Sequence, residues 1–181
     1  MTHADLVRPS RDGDQFHYFW TARRCLRMLP PCAELVAVAI EGVAPDEGTG
    51  IQAGLDVIDV AEYYGSREPA AATRIRYLQL KHSTRRTGEA WTTSGLASTV
   101  RKFADRYKEL CSQFGSEDVA RRFTFEFLTN RPMHEAVTSA LADVISGDPG
   151  ADGTALARVI GLTRDDLAAT LLNGLVSQLR R

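Results

Sequence analysis

Apolar positions recur along this chain with two different periods, and the changes between them predict its element order. Between residues 13 and 29, Phe16, Phe19, Trp20, Arg23/Cys25 and Leu26 to Leu29 make a stripe of helical period that Pro30-Pro31 stops. Leu35 to Ile40 is a short Val- and Ala-rich run, predicted as a buried strand. Gly42 to Gly54 is rich in Gly, Pro and acidic residues and reads as a loop. Leu55 to Tyr64 reads as a second strand, Gly65 to Thr73 as a long hairpin connection, and Ile75 to His82 as a third strand. After a polar, turn-rich stretch around Trp91, Ser94 is expected to cap a helix running to about Phe114, with Leu96, Val100, Phe103, Tyr107 and Leu110 as its apolar face. Phe123 to Leu128 alternates as a fourth strand, ended by Asn130-Arg131-Pro132, and Glu135 to Ile145 reads as a helix.

The expected class is therefore α/β with a mixed sheet (α+β), in the order α-β-β-β-α-β-α. Residues 1–147 form the main domain, 148–153 a Gly/Asp/Pro linker, and 154–181 a small C-terminal helical extension. That extension reads as two helices, Thr154 to Ile160 and Thr163 to Leu179, the second with a capping-box-like start at Thr163 and Asp166. A chain of 181 residues is long enough for one domain with a genuine core. No apolar run approaches the ~18 to 20 residues that span a bilayer, and the polar N-terminus lacks an apolar signal core. Three cysteines, Cys25, Cys32 and Cys111, are odd in number, show no metal-ligand spacing and read as reduced thiols. The expectation is a cytoplasmic protein with no membrane partner.

Net charge is only -1, but the charges are partitioned. Residues 34 to 68 hold eight Asp or Glu against Arg67 alone, whereas residues 74 to 108 hold nine Lys or Arg against Glu89 and Asp105. An acidic block followed by a basic one suits a site that holds a cation and a rim that holds phosphates. It equally suits two halves that pair their charges across a surface.

Gln79-Leu80-Lys81 closes the third strand. Alternation puts Gln79 and Lys81 on one face, with Leu78 and Leu80 on the other. An amide oxygen and carboxylates beside a cationic side chain can hold a divalent metal, orient a water and offset charge on a phosphate. Two aspartates compete for the place beside this triplet. Asp56 is spaced to lie nearly opposite Lys81 if the connection is symmetric. Asp59, flanked by Ile58 and Val60, is a charge inside an apolar run and needs a partner or a metal. Three positions apart, they point to opposite faces of a regular strand, so only one is central. Gln79 would offer its oxygen to Mg²⁺, with Mn²⁺ as a substitute, and Lys81 would stabilise charge developing on the phosphate. Arg85 and Arg86, just after the strand, are candidate DNA-phosphate contacts, as are Arg101 and Lys102 on the next helix. His82 falls on the face opposite Lys81, in a packing or phosphate role. Arg131 is a further candidate for a phosphate or another domain, and Trp91 for packing or for stacking on a base.

The segments GDQFHYFWTARRCLRML, ELVAVAIEG, GLDVIDVAEYYGS, IRYLQLKHS and RFTFEFLTNRP together resemble the PD-(D/E)XK nuclease superfamily over roughly residues 10 to 145. Within it they are most similar to the double-stranded DNA endonuclease domain of bacterial anti-phage proteins, with Q-x-K in place of the usual E-x-K. The resemblance implies a restriction-endonuclease-like core and metal-dependent cleavage of double-stranded DNA. It also implies Asp59 as metal ligand, an acidic residue near the metal at Glu41, and Gln15 or His17 within reach of the site's edge. It further implies control by self-association or by a fused or partner sensor module. The competing expectation is a catalytically silent nuclease-like platform for docking or oligomerisation, since folds outlive their sites; an RNase or a sequence-specific restriction enzyme is a third. No P-loop, G-x-S-x-G, H-E-x-x-H or paired C-x-x-C occurs in the sequence.

Overall fold

From residue 15 to 25 the chain is helical (α1), and it tightens into a 3-10 turn at Leu26–Met28 before Pro30-Pro31. The computed structural model describes residues 15–43 and 55–146, and residues 174–178 by their backbone. The strands are β1 (Leu35–Ile40), β2 (Val60–Tyr64), β3 (Arg74–Lys81), β4 (Phe123–Thr129) and β5 (Gly174–Gln178). The helices α2 (Thr93–Phe114), α3 (Ser116–Arg122) and α4 (Glu135–Ser146) complete the described residues.

The strands form one mixed sheet in the order β1-β2-β3-β4-β5. β1, β2 and β3 are an antiparallel meander, whereas β3, β4 and β5 run parallel. Parallel neighbours need a crossover, and α2 with α3 provides it between β3 and β4. The class is the mixed α/β one expected from the periodicity.

Alternation along the strands sorts the core into two layers. Ala61, Tyr63, Ile75, Tyr77, Phe123 and Phe125 pack with Phe103 and Leu110 of α2, and Phe127 packs with Leu96 and Val100 of α2 and Val137, Ala140 and Val144 of α4. On the other face Val60, Leu78, Leu80 and Leu128 pack against Phe16 and Trp20 of α1. α1 thus covers one face of the sheet, and α2 and α4 the other.

Four expectations are corrected. The second strand does not begin at Leu55: Leu55–Val57 is a 3-10 turn and pairing starts at Val60, so Asp56 lies outside the ladder. Thr92, not Ser94, caps α2, its hydroxyl accepting from the Gly95 N–H at 3.3 Å, and Ser94 lies inside the helix. α3 went unpredicted; Gly115, at φ 85°, stops α2 and lets a new helix start at once. Gly174–Gln178 is a strand beside β4 rather than the end of a helix, because a short apolar run fits either period and the free edge of β4 supplies a ladder. The rest of the expected extension, the linker 148–153 and the loop from 44 to 54 lie outside the described residues.

Candidate active site

The ladder between β2 and β3 ends at Val60↔Leu78, but β3 continues to Lys81 against β4. Beyond Leu78, side chains replace β2 as hydrogen-bond partners. The Leu80 N–H donates to Asp59 Oδ2 at 2.6 Å, and the Leu80 carbonyl accepts from His17 Nε2–H of α1 at 2.8 Å. A carbonyl only accepts, so Nε2 of His17 carries the hydrogen. The same nitrogen is 3.8 Å from Asp59 Oδ2, too far for a hydrogen bond. Asp59 Oδ1 has no partner among the described residues.

Glu41 follows β1 immediately. Its N–H donates to the Asp59 carbonyl at 2.8 Å, and the Asp59 N–H donates to the Leu78 carbonyl at 2.9 Å. Glu41, just past β1, and Asp59, just before β2, are therefore linked main chain to main chain with Leu78 of β3, at the same end of three neighbouring strands. Glu41 is exposed and is the one non-glycine residue at positive φ among those described, at 56°. That conformation costs an L-residue about 1–2 kcal/mol.

Gln79 and Lys81 share the α2 side of the sheet but not the same surroundings. Gln79 is buried, and its Oε1 accepts from the Thr99 hydroxyl of α2. An amide oxygen has a second lone pair, so this bond leaves one acceptor position. Lys81 is half-buried at the strand end, and its ammonium makes no hydrogen bond or ion pair with any described residue.

Asp56 is elsewhere. From the 3-10 turn it forms an ion pair with Lys102 of α2, so the residue expected opposite Lys81 is engaged on the helix side. Of the two competing aspartates, Asp59 is the one beside the Q-x-K triplet. Arg85 and Arg86 are exposed after β3, with Arg86 3.8 Å from Glu89, and Arg101 is exposed on α2.

The segment between β3 and α2 is fastened to the end of β4. Asn130 bonds both main-chain groups of Ser83, at 3.0 and 2.8 Å. Arg131 stacks over Trp91 at 4.3 Å and donates to the Glu89 carbonyl at 2.8 Å. Trp91 packs edge-on against Phe127, with Nε1–H donating to Thr129 Oγ1. Trp91 and Arg131 thus hold this loop in place, and His82 stacks on Phe16 of α1, centroids 4.3 Å apart.

One constellation escaped the sequence reading. On the α1 face, Glu62 is fully buried and binds Arg24 Nη2 at 2.9 Å, Arg76 Nη1 at 2.6 Å and the Tyr64 hydroxyl at 2.7 Å. Arg76 also forks onto Glu126 at 2.7 and 2.6 Å. Burial alone would raise the Glu62 pKa, but the bonds and charges of Arg24, Arg76 and Tyr64 outweigh it and hold the carboxyl below its usual range. The signal was present: Glu62, Arg76 and Glu126 are each charges inside apolar strands and had to find partners.

Among the described residues no three histidine, cysteine or acidic side chains gather at one point. Mg²⁺ does not require that, since it keeps several waters and commonly takes one or two carboxylates plus substrate phosphate oxygens. Asp59 Oδ1, the Glu41 carboxylate and the second lone pair of Gln79 Oε1 are oxygen donors of the chemical kind such an ion takes. No protein-family model matches the chain, and no curated protein matches it either.

Proposed function

We propose that this chain is the metal-dependent endonuclease domain of a prokaryotic anti-phage protein, of the PD-(D/E)XK type, acting on double-stranded DNA in the cytoplasm with little sequence preference. The observation that carries this reading is the bond from the Leu80 N–H to Asp59: it joins the aspartate to the middle of Gln79-Leu80-Lys81, a triplet whose lysine side chain has no ion-pair partner among the described residues.

Asp59, Glu41 and Gln79 would hold Mg²⁺ or Mn²⁺, which when bound lowers the pKa of a coordinated water and screens the phosphate charge. Lys81 offsets the negative charge that builds on the phosphate during in-line attack. Arg85, Arg86 and Arg101 bind the DNA backbone from the exposed segments flanking the site. A lone domain of near-neutral charge grips DNA weakly, so clustering of several copies, or a partner module that brings them together, would raise activity.

The test is plasmid cleavage across a Mg²⁺ titration. Cleavage that needs the metal and disappears in Lys81→Ala supports the reading. Binding without cleavage supports a second one, a silent nuclease-like docking platform, which is favoured by the burial of Gln79 and its bond to Thr99. Replacing the plasmid with double-stranded RNA separates a DNase from an RNase.

A further inference from the structure

Lys81 stands between two residues that are both gripped by α1. Its predecessor, Leu80, receives His17 on its carbonyl, and its successor, His82, is stacked on Phe16 with an interplanar angle of 12°. The Leu80 carbonyl belongs to the planar peptide that leads into Lys81, and the Leu80 N–H belongs to the peptide that leaves Gln79. Asp59 therefore fixes the Gln79 side of the triplet, and His17 the Lys81 side.

α1 is itself fastened at two polar points two turns apart. Arg24 binds Glu62, and His17 binds Leu80; between them Trp20 lies on the apolar face, while the buried Thr21 hydroxyl donates to the His17 carbonyl at 2.7 Å. Residues 17, 21 and 24 share one face of a helix. Where β3 loses β2 as a neighbour, this helix takes over.

We propose that His17 is a positioning residue: by holding the Leu80 carbonyl it sets where Lys81 carries its ammonium. Nε2–H is committed to that carbonyl, so this nitrogen neither takes a proton nor binds a metal in this arrangement. The inference rests on the nuclease reading, and it adds α1 to the site.

The experiment compares His17→Ala, His17→Leu and His17→Gln with wild type in steady-state plasmid cleavage, with thermal melting recorded for each. His17→Ala and His17→Leu are expected to lower kcat about 10-fold, as loss of an outer partner typically does, with KM for DNA within about two-fold. His17→Gln can donate from its amide to the same carbonyl and should recover most of the loss. Amide exchange at Lys81 should accelerate in His17→Leu and not in His17→Gln. Wild-type kcat in His17→Ala, or a His17→Gln no better than His17→Leu, overturns the inference alone. A wild-type protein inert with both Mg²⁺ and Mn²⁺ overturns the nuclease reading and this inference together.

Discussion

Lys102 on α2 is ion-paired with Asp56 in the 3-10 turn before β2. A residue expected at the phosphate rim and a residue expected at the metal thus neutralise each other, on the helix side of the sheet. Both are substantially exposed, with side chains 38% and 68% accessible, and such pairs contribute only about 0–1 kcal/mol.

Asp56→Asn is accordingly expected to cleave DNA within about three-fold of wild type and to melt almost unchanged. Asp59→Asn should lose at least the roughly 10- to 100-fold that removal of even an outer metal partner costs. Plasmid cleavage at saturating Mg²⁺ checks the pair. The opposite ranking would move the metal to Asp56.

Glu41 tests stability against function at one residue. Glycine accepts positive φ freely, so Glu41→Gly relieves about 1–2 kcal/mol of conformational cost while adding roughly 0.5–1 kcal/mol of unfolded-state entropy. Urea unfolding should show equal or slightly greater stability. Cleavage should nonetheless fall, since a carboxylate has gone. Retained cleavage removes Glu41 from the metal set.

The buried network makes a prediction in acid. The folded-state pKa of Glu62 is depressed below its unfolded value of about 4.3, so its stabilisation is present above that pH and is lost as pH falls through the lower folded value. Glu62→Gln leaves Arg24 and Arg76 without their shared carboxylate, and breaking buried pairs of this kind costs about 3–5 kcal/mol. Denaturant curves should show that deficit near pH 7 and a progressively smaller one as pH falls below the unfolded value and toward the lower folded one, where the wild-type carboxyl protonates. A deficit independent of pH would mean that ionisation of Glu62 contributes nothing.

Arg85 and Arg86 are exposed next to the end of β3. Each phosphate contact removed should lower the dependence of log K on log salt by about one unit, for all DNA sequences alike. Binding by Arg85→Ala/Arg86→Ala, measured at low and moderate salt, reads this directly. An unchanged slope means that DNA does not run past this turn.

Local information was enough for the order of most elements. β1 matches the bounds of its apolar run, although it is an edge strand in which only Leu35 is buried rather than the buried strand expected, and the predicted apolar face of α2 supplies Leu96, Val100, Phe103 and Leu110 to the core, because period is set within a few turns of chain. Gln79-Leu80-Lys81 was legible for the same reason: alternation alone puts the two polar residues on one side. What surrounds the triplet was not legible. Choosing between Asp56 and Asp59 depended on where the β2–β3 ladder stops, and a 3-10 turn at Leu55–Val57, invisible to a period-two pattern, decided it. The bonds that complete the site and its support join residues far apart in the chain. Asp59 reaches Leu80, His17 reaches Leu80 from 63 positions away, and Arg76 reaches Glu126 from 50. Sequence shows that charges placed in apolar strands must find partners, but only the packing of α1 on the sheet selects which ones, because that choice rests on distances the chain acquires when it folds.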